Sequence, residues 1–552
     1  MFPRTLLSVA LAVAGPVLAL WPIPHHYTTG DKALFIHQNV AITYNGAPVC
    51  WKSSSCCSSS LAGVCTKHDL FSQLTYTHDY SPRDVRNSRQ VVQGGVSRAF
   101  DAIFQDGFVP WKLHKKNTIT SFEPNPRHGL NWVKTLAITQ TAKDTAKTFK
   151  PRAGDVDESY NLTLSEDGHA DLTAVSSTGV LRGLESFVQL FYKHSRGGYW
   201  YTPYAPVCIR DAPKFPHRGV LLDVARNWYE LKDILHVIDA ISWNKMNRLH
   251  LHITDSQSWP LEIPSMPEVA LKGAYASDLT YGADDIEEIH EYGIARGVEV
   301  ILEIDMPGHI GSLQHSHPEL IVAYDGFPYY WWCAEPPCGA FKLNDTRVDK
   351  FLEKLFADLM PRLAPYSAYF HTGGDELNAN DSMLDPGIRS NSTAVLQPLL
   401  QTFVDRNHAR VRKHGLSPMV WEEIPLTWNV TVGKDTVVQT WLGVDSVQTV
   451  TGMGHKIIDS NYNFWVRDFR GKKSGATVLT RRRSISTAVG ASGSTGTTAL
   501  PLRRRTPSTT GAVRPRAGGS FTRTTRRSAS RRSRRSWCSA ARWPCGARRS
   551  TR

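Results

Sequence analysis

At 552 residues, with 41% apolar and 10% aromatic side chains, the chain is long enough for two or three domains and too apolar for a disordered protein. The formal charge of +14 points toward a nucleic-acid binder, but the excess is confined to one end. From Val466 onward there are 23 basic residues and a single acid, Asp468, so the body before it carries a mild acidic excess and gives nucleic acid no reason to bind.

In chain order, residues 1–19 read as a secretory signal: Arg4 supplies the charge, residues 6–18 the apolar run, and Ala19 a cleavage position ahead of Trp21. No later run is long enough to cross a membrane. The expectation is a secreted protein, or one of a lysosome- or vacuole-like compartment. Sequons at Asn161, Asn344, Asn380, Asn391 and Asn429 fit that route. An oxidising compartment permits disulfides. Cys333 and Cys338 are close enough to close a small loop, whereas the pairing among Cys50, Cys56, Cys57 and Cys65 stays open. A zinc site is the weaker reading of that cluster, because no histidine has suitable spacing.

Residues 20–205 read as a smaller α/β domain, most clearly in a strand over 172–175 and a helix over 184–192. From Phe215 the pattern changes to alternation. Strands are predicted over 219–224, 248–254, 299–304, 368–371, 418–421, 437–441 and 456–459. Helices are predicted over 230–242, 286–296, 348–363 and 394–414. Such alternation implies parallel strands with right-handed crossovers. Seven repeats over 215–465 predict an α/β fold, a (β/α)8 TIM barrel whose last strand is missing. An open doubly wound sheet is the alternative, but no glycine-rich phosphate loop supports it. Asp223, Asp255, Asp305, Asp375, Glu422 and Trp441 fall at strand C-termini, where such barrels place their active sites.

The densest chemistry lies in His371-Thr372-Gly373-Gly374-Asp375-Glu376. Adjacent carboxylates repel, which raises one pKa and suits a general acid. The two glycines allow a sharp turn and a close approach of ligand. An ordinary strand-end turn would show the same letters. Three further motifs, at 218–223, 250–257 and 303–309, occur in matching order and spacing. With them the chain resembles the family-20 glycoside hydrolases, the β-N-acetylhexosaminidases of the eukaryotic secreted or lysosomal type, over residues 20–465.

That resemblance implies an exo-acting enzyme that removes terminal β-linked GlcNAc or GalNAc from chitooligosaccharides or glycans. Most retaining glycosidases use a carboxylate nucleophile, whereas this family uses the substrate's own 2-acetamido oxygen. By resemblance, Asp375 holds and polarises the acetamido N–H. Glu376 protonates the leaving oxygen and then deprotonates water. Neighbouring strand positions face opposite ways, so the pair is expected to diverge by strand alternation. Arg218 resembles the arginine that forks onto the sugar's outer hydroxyls, with a salt bridge on the barrel floor as the alternative. Asp255 and His309 resemble partners that tune the acid, and Trp421 and Trp441 resemble walls of the sugar pocket. His250 and His252 alternate along one strand as metal ligands would, but packing inside the barrel is the reading taken. No metal, organic cofactor, nucleic acid or membrane partner is expected, and a homodimer is possible by resemblance. A barrel glycosidase with a carboxylate nucleophile, a sugar-binding protein without catalysis, and a basic nucleic-acid binder that rests only on the tail at 466–552 are the other readings.

After Trp465 the resemblance stops. The family pattern continues with Tyr-Leu-Asp-Cys-Gly, then Tyr-Asp-Pro, then Gly-Gly-Glu before an apolar run, whereas residues 466–552 are rich in Arg, Ser and Thr. Synonymous codons for residues 484–489, read one frame over, spell the first motif. Residues 523–526 spell the second and residues 537–551 the third, all in the same frame. Val466-Arg467 and Ser484 also accommodate the two boundaries of an intron whose length is not a multiple of three. The expectation is a retained intron and a mistranslated tail, which would leave the barrel one strand short, poorly folded and nearly inactive.

Overall fold

The computed structural model describes residues 20–49, 51, 87–106, 123–126 and 129–461. The expected signal segment, Cys50, Cys56, Cys57, Cys65 and the tail from 466 lie outside them.

The first domain is a mixed sheet of β1 (His26–Ile36), β2 (Ala41–Tyr44), β3 (Ala47–Pro48), β4 (Thr135–Gln140), β5 (Tyr160–Leu164), β6 (His169–Ala174), β7 (Tyr192–Lys193) and β8 (Trp200–Asp211). Its order is β1-β8-β5-β6-β4-β2-β3, with β7 added to β8. Helices Ser88–Phe104 and Ser177–Val188 contribute their apolar faces to the same core, through Val92, Val96, Phe100, Leu184 and Phe187. The helix expected over 184–192 starts earlier and stops at Val188. The Ser176 hydroxyl caps it by accepting from Gly179 N at 3.0 Å. Tyr192 belongs instead to β7, where its hydroxyl meets that of Tyr204 at 2.8 Å.

The second domain is a curled, all-parallel sheet of the TIM-barrel type. Seven strands are described: β9 (Gly219–Asp223), β10 (Arg248–Thr254), β11 (Glu299–Ile304), then, after the short pair β12 (Ile321–Val322) and β13 (Ala340–Phe341), β14 (Tyr369–His371), β15 (Ser417–Trp421), β16 (Val437–Thr440) and β17 (Lys456–Asp459). They pair in sequence order from β9 to β17, skipping only β12 and β13. The sequence pattern located all seven to within two residues. On β10 the odd positions Leu249, Leu251 and Ile253 face outward onto the helices, while His250 and His252 face in. The helix Thr346–Leu363 shows the matching pattern. Asp345 caps its start by accepting from Arg347 N, and Val348, Phe351, Leu352, Leu355, Phe356 and Leu359 form its buried stripe.

The first domain covers the N-terminal ends of the barrel strands. Glu158, buried, accepts from Arg182 Nε at 2.9 Å, Arg218 Nη2 at 2.6 Å and Asn247 Nδ2 at 2.8 Å. Lys245 reaches Tyr160 and Ser186, both at 2.7 Å, and Arg248 donates to the carbonyl of Pro151. Those contacts close the barrel floor, so the open C-terminal face is where chemistry can occur.

Candidate active site

Inside the barrel the side chains become more polar toward that face. Near the floor, Arg248 pairs with Glu299 at 3.0 Å. Above them Ile301, Tyr369, Met419 and Val437 make an apolar layer. The next layer is built on Glu303, fully buried. It meets His250 Nε2 at 2.9 Å, His252 Nδ1 at 3.0 Å and His371 Nδ1 at 3.1 Å, and accepts from the Trp421 indole at 2.6 Å. Burial alone would raise the Glu303 carboxyl, but the three histidines outweigh it and hold it well below the usual range.

A relay of charges runs upward from there. His252 donates from its other nitrogen to Asp255 Oδ2 at 2.7 Å. Burial opposes its charge, yet Glu303 and Asp255 hold it well above an ordinary histidine. Asp255 Oδ1 accepts from His309 Nδ1 at 3.3 Å, and His309 Nε2 lies 3.5 Å from Glu376 Oε2. His309 is likewise raised against its own burial, first by Asp255, and faces the carboxyl of Glu376. Asp255, Asp305, Asp375, His309 and Glu376 thus converge on one face, although they come from loops after three different strands.

The glycine pair sets where the two carboxylates sit. β14 ends at His371, so Asp375 and Glu376 lie beyond the strand, and strand alternation does not orient them as expected. Gly373 and Gly374 have φ of +68° and +107°, and Glu376 itself has φ of +51°. A Cβ on Gly373 would fall 1.8 Å from Asp305 Oδ1, and one on Gly374 2.4 Å from the Ile424 side chain. Only glycine fits either place. Gly374 N donates to Asp305 Oδ1 at 2.8 Å, and ligating atoms of Asp305, His309 and Asp375 lie within 4.8 Å of one another. Burial, then the Asp375 carboxylate, push Asp305 well above its ordinary range. That direction favours the neutral form of Asp305 beside Asp375. Glu423, across the site, is raised to about 8 by burial and then by Asp375.

Arg218 needs correction. It precedes β9 and lies on the barrel floor, with its guanidinium on Glu158 and on the carbonyls of Lys245 and Phe215. It cannot reach a sugar on the opposite face. Arg226, three residues past the end of β9, is the arginine at the site: it meets Asp223 at 3.1 Å, Asp255 at 2.8 Å and Glu335 at 3.2 Å. The spacing Asp223-x-x-Arg226, just after a barrel strand, was the available signal.

Trp421 is held inside the barrel by Glu303 and keeps 9% of its surface exposed. Trp441 is half-buried at the rim, its indole donating to Glu423 at 2.9 Å and its backbone N–H to Glu422 at 2.6 Å. Three groups have metal-ligand proximity: His250, Glu303 and His371; His252, Glu303 and Asp305; and Asp305, His309 and Asp375. In the first, each histidine is already paired with Glu303, which fits mutual neutralisation. Cys333 and Cys338 form a disulfide, with Cα atoms 5.3 Å apart. Of the sequon asparagines, Asn161, Asn344, Asn391 and Asn429 are exposed and Asn380 is half-buried. The amides of Asn344 and Asn380 donate to the carbonyls of Gly387 and Trp331, and that of Asn391 to Asn380.

A parallel barrel whose C-terminal face gathers an adjacent acid pair, a third buried carboxyl beside it and an arginine clamp defines the glycosidase class of TIM barrels. Comparison with known proteins narrows the class. The model for the catalytic domain of glycosyl hydrolase family 20 matches residues 215–490, and one described as beta-acetyl hexosaminidase like matches residues 20–190. The first match runs past the boundary at 465 read from the motifs. The chain is 37% identical over 472 residues to a beta-hexosaminidase of Arthroderma benhamiae, covering 83% of this chain and 77% of that one. It is 38% identical over 229 residues to a chitooligosaccharidolytic beta-N-acetylglucosaminidase of Bombyx mori, covering 41% of this chain but only 38% of the relative. The Flavobacterium johnsoniae chitobiase shares the fold, with a TM-score of 0.59 at 24% identity over 80% of this chain and 59% of its own. The chain belongs to glycosyl hydrolase family 20.

Proposed function

We propose that this protein is a β-N-acetylhexosaminidase that releases terminal, non-reducing N-acetylhexosamine from chitooligosaccharides or glycans. One observation carries the reading: Asp375 and Glu376 are adjacent but differently supported. Asp375 sits beside Asp305, whose carboxyl burial and Asp375 push well above its ordinary range, while Glu376 faces the His309–Asp255 relay. That division suits substrate-assisted retention. Asp375 accepts the acetamido N–H and turns its oxygen onto the anomeric carbon, so the ring nucleophile comes from the sugar. The bond to the leaving oxygen breaks as Glu376 gives it a proton. Glu376 then removes a proton from water, which opens the cyclic intermediate with overall retention. His309, raised above an ordinary histidine and 3.5 Å away, favours the carboxylate that Glu376 becomes. Arg226, already fixed by Asp223 and Asp255, is placed to hold outer hydroxyls.

A thiazoline analogue of the cyclic intermediate tests the reading, because only a substrate-assisted site is complementary to it. Tight competitive inhibition is expected. Turnover of a glucoside lacking the acetamido group at a rate equal to its N-acetylated counterpart would refute it. The signal-like segment at 1–19 and the sequons support a secreted or lysosome-like location, tested by the N-terminus of the exported protein. The homodimer carried by the family resemblance is tested by sedimentation. The shifted-frame origin of residues 466–552 belongs to the same reading and is tested on the transcript.

A further inference from the structure

The exposed aromatic side chains are unevenly spread. Residues 327–331 read Phe-Pro-Tyr-Tyr-Trp, and Phe327 is 90% exposed, Tyr330 66%, Trp331 55% and Tyr329 42%. Single exposed apolar side chains are ordinary, but four rings within five positions, none aliphatic, make a patch that calls for an occupant. The segment is held in one shape. Trp331 N and Trp332 N donate back to Pro328 and Tyr329, and the Cys333–Cys338 disulfide closes the far side. Tyr329 meets Tyr330 edge to face with centroids 6.0 Å apart, and Tyr330 and Trp331 lie 6.1 Å apart with their planes tilted by 36°, so those two present the more nearly aligned faces.

Both ends of this loop are attached to the site. Trp332 packs with Leu377, the residue after Glu376, against Val322, Ala323 and Ala340. Asn380 Nδ2 donates to the carbonyl of Trp331 at 3.0 Å. At the other end Glu335 meets Arg226 at 3.2 Å, and Gln257 donates to the carbonyl of Pro336. The aromatic segment is therefore anchored to the stretch that carries the leaving-group acid.

We propose that these rings form a shelf for the sugars on the reducing side of a β-linked oligosaccharide, those beyond the residue being released. Glu376 protonates the leaving oxygen, so the leaving chain emerges past Glu376, toward the stretch to which the shelf is fixed. Successive pyranose rings present apolar C–H faces, and neighbouring aromatic faces are their complement. This inference rests on the hexosaminidase reading and deepens it, by naming an oligosaccharide rather than a monosaccharide glycoside as the preferred substrate.

The test compares kcat/KM for the β-linked N-acetylglucosamine tetrasaccharide with that for N-acetylglucosaminyl fluoride, whose leaving group has no ring. The protein encoded by the transcript spliced between the codons of Trp465 and Ser484, its Tyr330→Ala/Trp331→Ala pair and its Tyr330→Phe/Trp331→Phe pair are assayed together. The tetrasaccharide-to-fluoride ratio is expected to fall about tenfold in the alanine pair and to recover in the phenylalanine pair, which keeps the aromatic faces. Calorimetric titration with the tetrasaccharide in a Glu376→Gln background is expected to show the same loss without turnover. An unchanged ratio overturns the proposal. So does an alanine pair whose only change is loss of self-association in sedimentation, which would give the surface to a second copy. Failure of the protein encoded by the spliced transcript to act on or bind either compound would sink the hexosaminidase reading itself, and is seen before any shelf residue is changed.

Discussion

Replacing Gly373 by alanine asks whether the glycine pair determines where the acid pair sits. Gly373 has φ of +68°, and an added Cβ falls 1.8 Å from Asp305 Oδ1 and 2.5 Å from Asp305 Cα. Atoms in contact sit about 3.5–4 Å apart. Asp305 is buried and bonded to Gly374 N, so relief requires the 373–376 turn or Asp305 to move by well over 1 Å. The left-handed backbone costs a non-glycine residue about 1–2 kcal/mol, and overpacking adds about 1–3 kcal/mol. Stability should fall by about 2–5 kcal/mol, and a 1 Å displacement at the site should lower kcat about 100-fold. Gly415→Ala separates the two effects, because Gly415 has φ of +79° with nothing within 4 Å of its Cβ position. It should lose about 1 kcal/mol and keep its turnover. Urea unfolding and kcat on a chromogenic N-acetylglucosaminide, both relative to the unaltered chain, read the two quantities. Equal kcat in Gly373→Ala and Gly415→Ala would refute the positioning argument.

Other changes act on separate parts of the network. Glu376→Gln should slow hydrolysis of poor leaving groups by about 10²–10⁴-fold while sparing an activated aryl leaving group, which needs no proton; Asp375→Asn should slow both, and identical leaving-group profiles would contradict the assigned roles. Asp255→Asn removes the charge that most raises His309, so NMR titration should show the His309 ring losing its proton at a lower pH than it does with Asp255 in place. Glu158→Gln leaves Arg182 and Arg218 buried without their anion and should cost about 3–5 kcal/mol. The bridge's net worth is smaller than that, because burial lowers Arg218 despite Glu158. In Glu158 the sign is opposite: burial raises the carboxyl, but both arginines outweigh it and leave it depressed. Its stabilisation is thus present above the unfolded carboxyl's pKa and is lost as pH falls through the folded one, so the variant and the unaltered chain should converge in acid.

The sequence specified the strands better than it specified what happens at their ends. Short apolar runs and the helical gaps between them located β9–β11 and β14–β17, because strands of a parallel barrel are covered on both faces and read as apolar along their length. Arg218 was misassigned because motif likeness was allowed to override chain direction. A residue before a parallel strand lies on the floor, and one after it lies on the active face. The same rule would have selected Arg226. The orientation of Asp375 and Glu376 was misread for a related reason. Two glycines ended the strand at His371, and a backbone with positive φ at Gly373, Gly374 and Glu376 has no two-residue period. Long-range pairings, such as Asp255 with His309 or Trp332 with Leu377, depend on loop paths between strands and leave no local pattern in the sequence.

Exposure along the described sheet bears on the shifted reading frame. β10, β11 and β15 are buried at every residue, as barrel strands covered on both faces should be. The two end strands are not. β17 has no buried residue, and β9 has none either, with Leu221 left 41% exposed. β9 pairs only with β10 and β17 only with β16 among the described residues. Among the described residues each of these end strands therefore has one edge without a paired strand, and a parallel edge left uncovered invites aggregation. The apolar run that follows Gly-Gly-Glu in the alternative frame has the composition of a barrel strand. A transcript spliced between the codons of Trp465 and Ser484 should therefore encode a protein that is more soluble, melts higher and hydrolyses a chromogenic N-acetylglucosaminide far faster than the 552-residue chain. Equal turnover and equal stability of the two proteins, or transcripts that retain the codons from Val466 to Ser484 in frame, would refute the shifted-frame proposal.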